Sequence, residues 1–210
     1  PETKFSRLHL GQVLHEDGLE ASVRATIQER TGKIKGAIFL TKSIIETYQM
    51  QGIGAMAAAR TLWEGAIVPS LLHGAGTWIG SSEETDLLCE ELQLLFWRTA
   101  FQVPKSTPKV MLRAQTKSTK MKQRIWRMKL MLAKKILNQE KSLAKEIYAE
   151  QLQHDWPGLN REVKEICENI GVRNINEEAL NKEEVKEGIY YHNYKELKIE
   201  VSGYKKLEAI

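Results

Sequence analysis

The chain has 210 residues, of which 42% are hydrophobic, 7% aromatic and 28% charged, with a net charge of +4. This allows one large domain or two small ones around a real core. It excludes a disulfide-built mini-domain, since there are two cysteines, and a bilayer-spanning helix, since the longest apolar run, Gly65–Leu72, is short and broken by Pro69.

The first segment, Phe5–His15 (FSRLHLGQVLH), roughly alternates apolar and polar residues and reads as a strand, or a strand pair bent at Gly11. Glu16-Asp17-Gly18 is a turn. Over Leu19–Met50 the period becomes helical: Val23, Ile27, Ile34, Ile38 and Ile45 recur at steps of four or seven, while Gly32 and Gly36 offer a neighbour close approach. Gln51–Gly54 breaks the helix. Ala55–Val68 is an Ala-rich second helix, ended or kinked by Pro69. Ser81 or Ser82 caps a third, running to about Ala100. After the loop Val103–Pro108, Pro108 opens short helices over Lys109–Gln115 and Thr119–Leu137. Helices follow over Lys141–His154, Asn160–Ile170 and Glu177–Gly188, and residues 189–210 carry no clear period. The expected fold is mainly α. A strand or hairpin covers 1–18, a three-helix-bundle-like segment 19–103, a basic helical stretch 104–137 and a charged helical region 138–210.

Charge is distributed unevenly along these elements. Residues 1–100 carry a net −3 and residues 136–210 a net −4, whereas 101–135 hold eleven Lys and Arg and no acid. Such a block creates a local positive potential suited to a polyanion, nucleic acid first and membrane phosphates second. The block comprises Lys105, Lys109, Arg113, Lys117, Lys120, Lys122, Arg124, Arg127, Lys129, Lys134 and Lys135. At about 100° per residue, Met121, Ile125, Met128, Leu132 and Ile136 form one apolar stripe. Lys120, Arg124, Arg127 and Lys134 form a ridge beside it, with Lys122 and Lys129 on the other flank. Like charges at neighbouring turns repel, and a phosphate backbone relieves that repulsion. The competing reading is a solvated face, or one paired with the acidic C-terminal third.

Other signals fit packing better than chemistry. Gly52-Ile53-Gly54-Ala55-Met56-Ala57 matches the dinucleotide fingerprint without the strand that must precede it, and Thr31-Gly32-Lys33 lacks the first glycine of a P-loop. No histidine among His9, His15, His73, His154 and His192 is spaced as a metal pair, and His73 reads as a packed core residue. Cys89 and Cys167 read as isolated thiols, suited to a reducing compartment. Glu83, Glu84, Asp86, Glu90 and Glu91 are able to hold a metal, but helix-start electrostatics are sufficient. The tryptophans 63, 78, 97 and 156 read as core anchors. Trp126 points away from the apolar stripe, to a base or to a second packing surface.

Several segments together resemble the region after the palm of a non-LTR (LINE-type) retrotransposon reverse transcriptase. His9-Leu10-Gly11 stands where that family has Tyr-Leu-Gly, with Asp17-Gly18 after it. Pro69–Trp78 (PSLLHGAGTW) looks like its P-x-L-L-Y-G-A-E-T-W. Ser106-Thr107-Pro108 resembles its S-T-P, and Gln151–Leu159 (QLQHDWPGL) its tail. His9, His73 and Gly76 depart from the pattern. The resemblance spans about residues 1–190 and implies the thumb and following connector. Polymerase catalysis and its Mg²⁺ then belong to an upstream palm, and no adjacent Asp-Asp pair occurs here. On this resemblance the chain is non-catalytic and binds no cofactor. His9, Leu10 and Gly11 are primer-grip-like, the eleven cations follow phosphates, and the partners are an RNA–DNA hybrid or duplex and the parent palm and fingers, not a membrane. The location implied is nucleus and cytoplasm. Because Pro rather than Met stands first, the chain reads as a fragment or processed product. The alternative is a helical scaffold whose ridge docks an acidic partner or its own acidic tail, in which case removing residues 160–210 destabilises it. A third reading is a phosphodiesterase built on Glu83–Glu91.

Overall fold

A computed structural model describes residues 6–9 (backbone only), 12–52, 54–172 and 182–203. The fold is mainly α, as the periodicity predicts. Two compact units form, one from residues up to Gly74 with Ser81–Met121, the other from Ala75–Gly80 with Lys122 onward. The chain passes between the units after Gly74, after Gly80 and after Met121. The basic stretch is shared between the units and is not a connector of its own.

In the first unit, β1 (Ser6–His9) and β2 (Gln12–His15) pair antiparallel, Ser6 opposite His15 and His9 opposite Gln12. This is the strand pair of the two sequence alternatives; residues 10–11 between the strands lie outside the described residues. The Val13 and His15 N–H groups donate to Thr26 Oγ1 and Ser22 Oγ, each at 2.8 Å, tying β2 to α1 (Leu19–Met50). The helix buries Val23, Ile27, Ile34, Ile38 and Ile45 together with Thr26, Arg30 and Thr41, one face generated by three- and four-residue steps. Gly32 and Gly36 correct the expectation of close packing: a Cβ at either meets no atom within 4 Å.

The second helical segment is not uniform. α2 (Ala55–Leu62) passes into a π-helical turn, Trp63–Ile67, and then α3 (Val68–Leu71). Pro69 stands in the first turn of α3 directly after this wider turn, and the helical backbone runs on through it to Leu71. α4 (Glu83–Phe101) begins after Ser82 and packs on α1. Trp63, Phe96 and Trp97 are buried together, with ring centroids 4.8 to 6.1 Å apart. Pro108 is the cap residue of α5 (Lys109–Thr116).

The second unit contains α6 (Met121–Leu137) beyond its first residue, α7 (Leu143–His154), α8 (Leu159–Ile170) and α9 (Lys182–Ser202). Its core gathers Leu130, Ala133, Tyr148, Val163, Ile166 and Val185. The sequence reading stops a helix at Gly188, but α9 continues through it. A Cβ on Gly188 lies only 3.1 Å from the Ile170 carbonyl oxygen, so glycine allows the approach of α8 and α9. Gly76 plays the same part against α6, where a Cβ comes 3.1 Å from the Met128 carbonyl oxygen. Trp63, Trp78 and Trp97 are buried as expected. Trp156 is not a core anchor: it is 53% exposed and stacks on His154 at 5.1 Å. Among the described residues no helix is long and apolar enough to cross a membrane.

Candidate nucleic-acid interface

α6 is covered over more of its circumference than one apolar stripe requires. Met121 and Ile125 are buried as predicted, while Met128, Leu132 and Ile136 are half-buried. Gln123, Lys129, Leu130 and Ala133 are buried as well. Trp126 belongs to this second side, packed against the core with its ring centroid 5.3 Å from His192. Of the two options the sequence left for it, the second packing surface is the one observed. The remaining arc carries Arg124, Arg127, Lys134 and Lys135.

The cations divide by environment. Arg127 and Lys135 are exposed and Lys134 is half-buried, and none of the three has a hydrogen-bond or ion-pair partner among the described residues. Lys120 and Arg124 are half-buried and engaged in interactions of their own. Lys122 is exposed, with Nζ 5.4 Å from the centroid of Trp126. Lys105, Lys109 and Lys117, in the first unit, are exposed. Two assignments are corrected. Lys129 is 3% exposed and its Nζ lies 2.8 Å from Glu162 Oε2. Arg113 is 8% exposed and its Nε lies 2.9 Å from Glu90 Oε1. Both charges are neutralised inside the protein and withdrawn from any external phosphate.

Two members of the acidic run at the start of α4 also have internal partners. Glu84 lies 3.0 Å from Arg24, and Glu90 accepts the Met121 N–H through Oε2 at 3.0 Å while pairing with Arg113. Among the described residues no three potential metal ligands cluster. Sequence reasoning missed Arg30, buried on α1, whose Nη1 donates to the carbonyls of Leu71 and His73, each at 2.8 Å. Burial pushes its guanidinium down from the ordinary value, with Glu29 acting in the opposite sense. His73 itself is exposed, so only its backbone enters this anchor, contrary to the core role expected of its ring.

Both cysteines are buried and free. Burial, aided by Asp86 and Glu90, pushes the Cys89 thiol up to about 12; burial and then Glu168 push Cys167 up to about 11. Native thiols should therefore resist a disulfide reagent at neutral pH and react once the chain unfolds. The ordinary value is 9.0, so above that pH an unfolded chain releases protons that the folded chain retains. This contribution to stability is complete below pH 9 and is lost as pH rises through 11 and 12. Urea unfolding across this range should show the decline, reduced in Cys89→Ala. An unchanged profile in that variant contradicts the assignment.

The side chains of His9, Leu10 and Gly11, the primer-grip-like positions, lie outside the described residues. Comparison of the chain with protein families, curated proteins and solved structures finds no match.

Proposed function

We propose that this chain holds a nucleic-acid duplex, an RNA–DNA hybrid foremost, through its phosphates. In this reading it serves as the thumb and connector portion of a non-LTR retrotransposon reverse transcriptase, and polymerase chemistry resides in a palm outside the chain. The observation that carries the reading is the open arc of α6. Arg127, Lys134 and Lys135 stand there with no partner among the described residues, while the buried lysine of the same helix, Lys129, has an internal carboxylate. A surface selected only for packing has no need of adjacent cations that repel each other. An A-form hybrid is held by shape and backbone rather than by base reading, which suits such an array.

A second reading, the ridge docking the chain's own acidic region, has one observation in its favour. Glu162 reaches Lys129, and Glu196 accepts from Gln123 Nε2 at 2.9 Å. Both carboxylates meet the covered side of α6, however, and Arg127, Lys134 and Lys135 have no partner among the described residues. Removing residues 160–210 also takes away α8 and α9, which supply much of the second unit's core, so instability of that truncation no longer separates the readings.

Single substitutions do separate them. Arg127→Ala and Lys135→Ala should each weaken binding to hybrids of unrelated sequence by a similar few-fold factor, without changing the unfolding midpoint. Unchanged affinity, or loss confined to one sequence, contradicts the proposal.

A further inference from the structure

A cavity of about 390 Å³ opens in the first unit among α1, α4 and the start of α5. It is lined by Lys35, Arg98, Lys105 and Lys109, with Glu91 the one carboxylate among its lining residues. Leu88, Leu92 and Leu95 supply apolar wall. Lys35, Lys105 and Lys109 are exposed and have no hydrogen-bond or ion-pair partner among the described residues. Arg98 donates from Nη2 to the Thr107 carbonyl at 3.1 Å, yet its Nε is buried with no partner.

Four cations against one carboxylate repel one another, more so beside leucine side chains than in open water. A bare inorganic anion relieves the repulsion but leaves the leucines wetted. A fatty acid covers the leucines but brings a single negative charge. A phosphate ester on a flat, weakly polar body answers both needs, and the volume lies within the range of about 300–1,000 Å³ usual for small-ligand sites. We infer that this cavity takes one nucleoside phosphate, its phosphate among Lys35, Lys105 and Lys109 and its base against Leu88 and Leu95. The source is either a free nucleotide or an unpaired nucleotide at a strand end. The strand source rests on the nucleic-acid reading above, whereas the ligand chemistry does not.

The test is leucine-methyl NMR titration of the full chain with AMP, adenosine and inorganic phosphate. AMP should shift leucine methyl signals and bind roughly tenfold more tightly than either fragment, and Lys35→Glu should weaken AMP by roughly tenfold. Lys35→Arg should retain it. Because Lys35 is exposed and has no partner among the described residues, the unfolding midpoint of both variants should match the parent's. AMP binding no tighter than phosphate, or indifferent to Lys35→Glu, overturns the inference. A hybrid with one unpaired terminal nucleotide then identifies the source. Preference over a blunt hybrid, abolished by Lys35→Glu, assigns the strand end; AMP binding without that preference assigns the free nucleotide. Blunt-hybrid binding without AMP binding removes the cavity site and leaves the broader reading standing. AMP binding without any hybrid binding does the reverse.

Discussion

Glu90→Ala should destabilise the chain by about 3–5 kcal/mol, the usual cost of removing one member of a buried ion pair. Glu90 and Arg113 side chains are 13% and 10% exposed, so water does little to compensate a lost partner. The same carboxylate accepts the Met121 N–H at the start of α6, one of the orphan donors that every helix N-terminus presents. Alanine leaves a guanidinium in a poorly solvated site and an N–H unmet. Glu90→Gln keeps an acceptor for Met121 but removes the charge, and should fall between the parent and Glu90→Ala. The double variant Glu90→Ala with Arg113→Met should recover much of the loss, because no charge then remains to be solvated. Urea unfolding of the three variants checks the series. Equal stability of the double variant and Glu90→Ala removes the ion pair as the cause. Recovery in the double variant instead makes Glu90 a fastening between α4, α5 and Met121.

The isoleucines of α1 were legible because large apolar side chains at steps of four and seven residues define a face by themselves. The second buried side of α6 was not. Ala133 and Lys129 carry little hydropathy signal, and Lys129 is inside only because Glu162, on a different helix, meets it. A run of cations counts charges without revealing which of them have internal partners; Arg113 and Lys129 therefore belong to the block of eleven by sequence and leave it in the fold. The extension of α9 past Gly188 was hidden for a related reason. Glycine weakens a helix locally, and only the nearby Ile170 carbonyl explains its presence. The cavity was beyond sequence reasoning altogether, since it joins Lys35 to Lys105 and Lys109 through packing of α1 on α4.

Affinity for an RNA–DNA hybrid should fall steeply with salt, and the burial pattern sets a lower bound on the slope. Lys122, Arg127, Lys134 and Lys135 remain accessible on α6. If those four meet phosphates, the logarithm of affinity should fall with slope about −3.6, or roughly 10²-fold between about 50 and 200 mM salt. Accessible cations of the first unit can only steepen this. A flat response sinks the nucleic-acid reading. The buried pair sharpens the experiment, because the two classes of lysine should behave differently. Lys135→Ala should lower the slope by about 1 without affecting stability, since it releases one fewer counterion. Lys129→Ala should leave the slope of the folded fraction unchanged but destabilise the chain by about 3–5 kcal/mol, since Glu162 loses a buried partner. If Lys129→Ala instead lowers the slope like Lys135→Ala, its charge reaches the ligand and the division between structural and phosphate-facing cations is wrong.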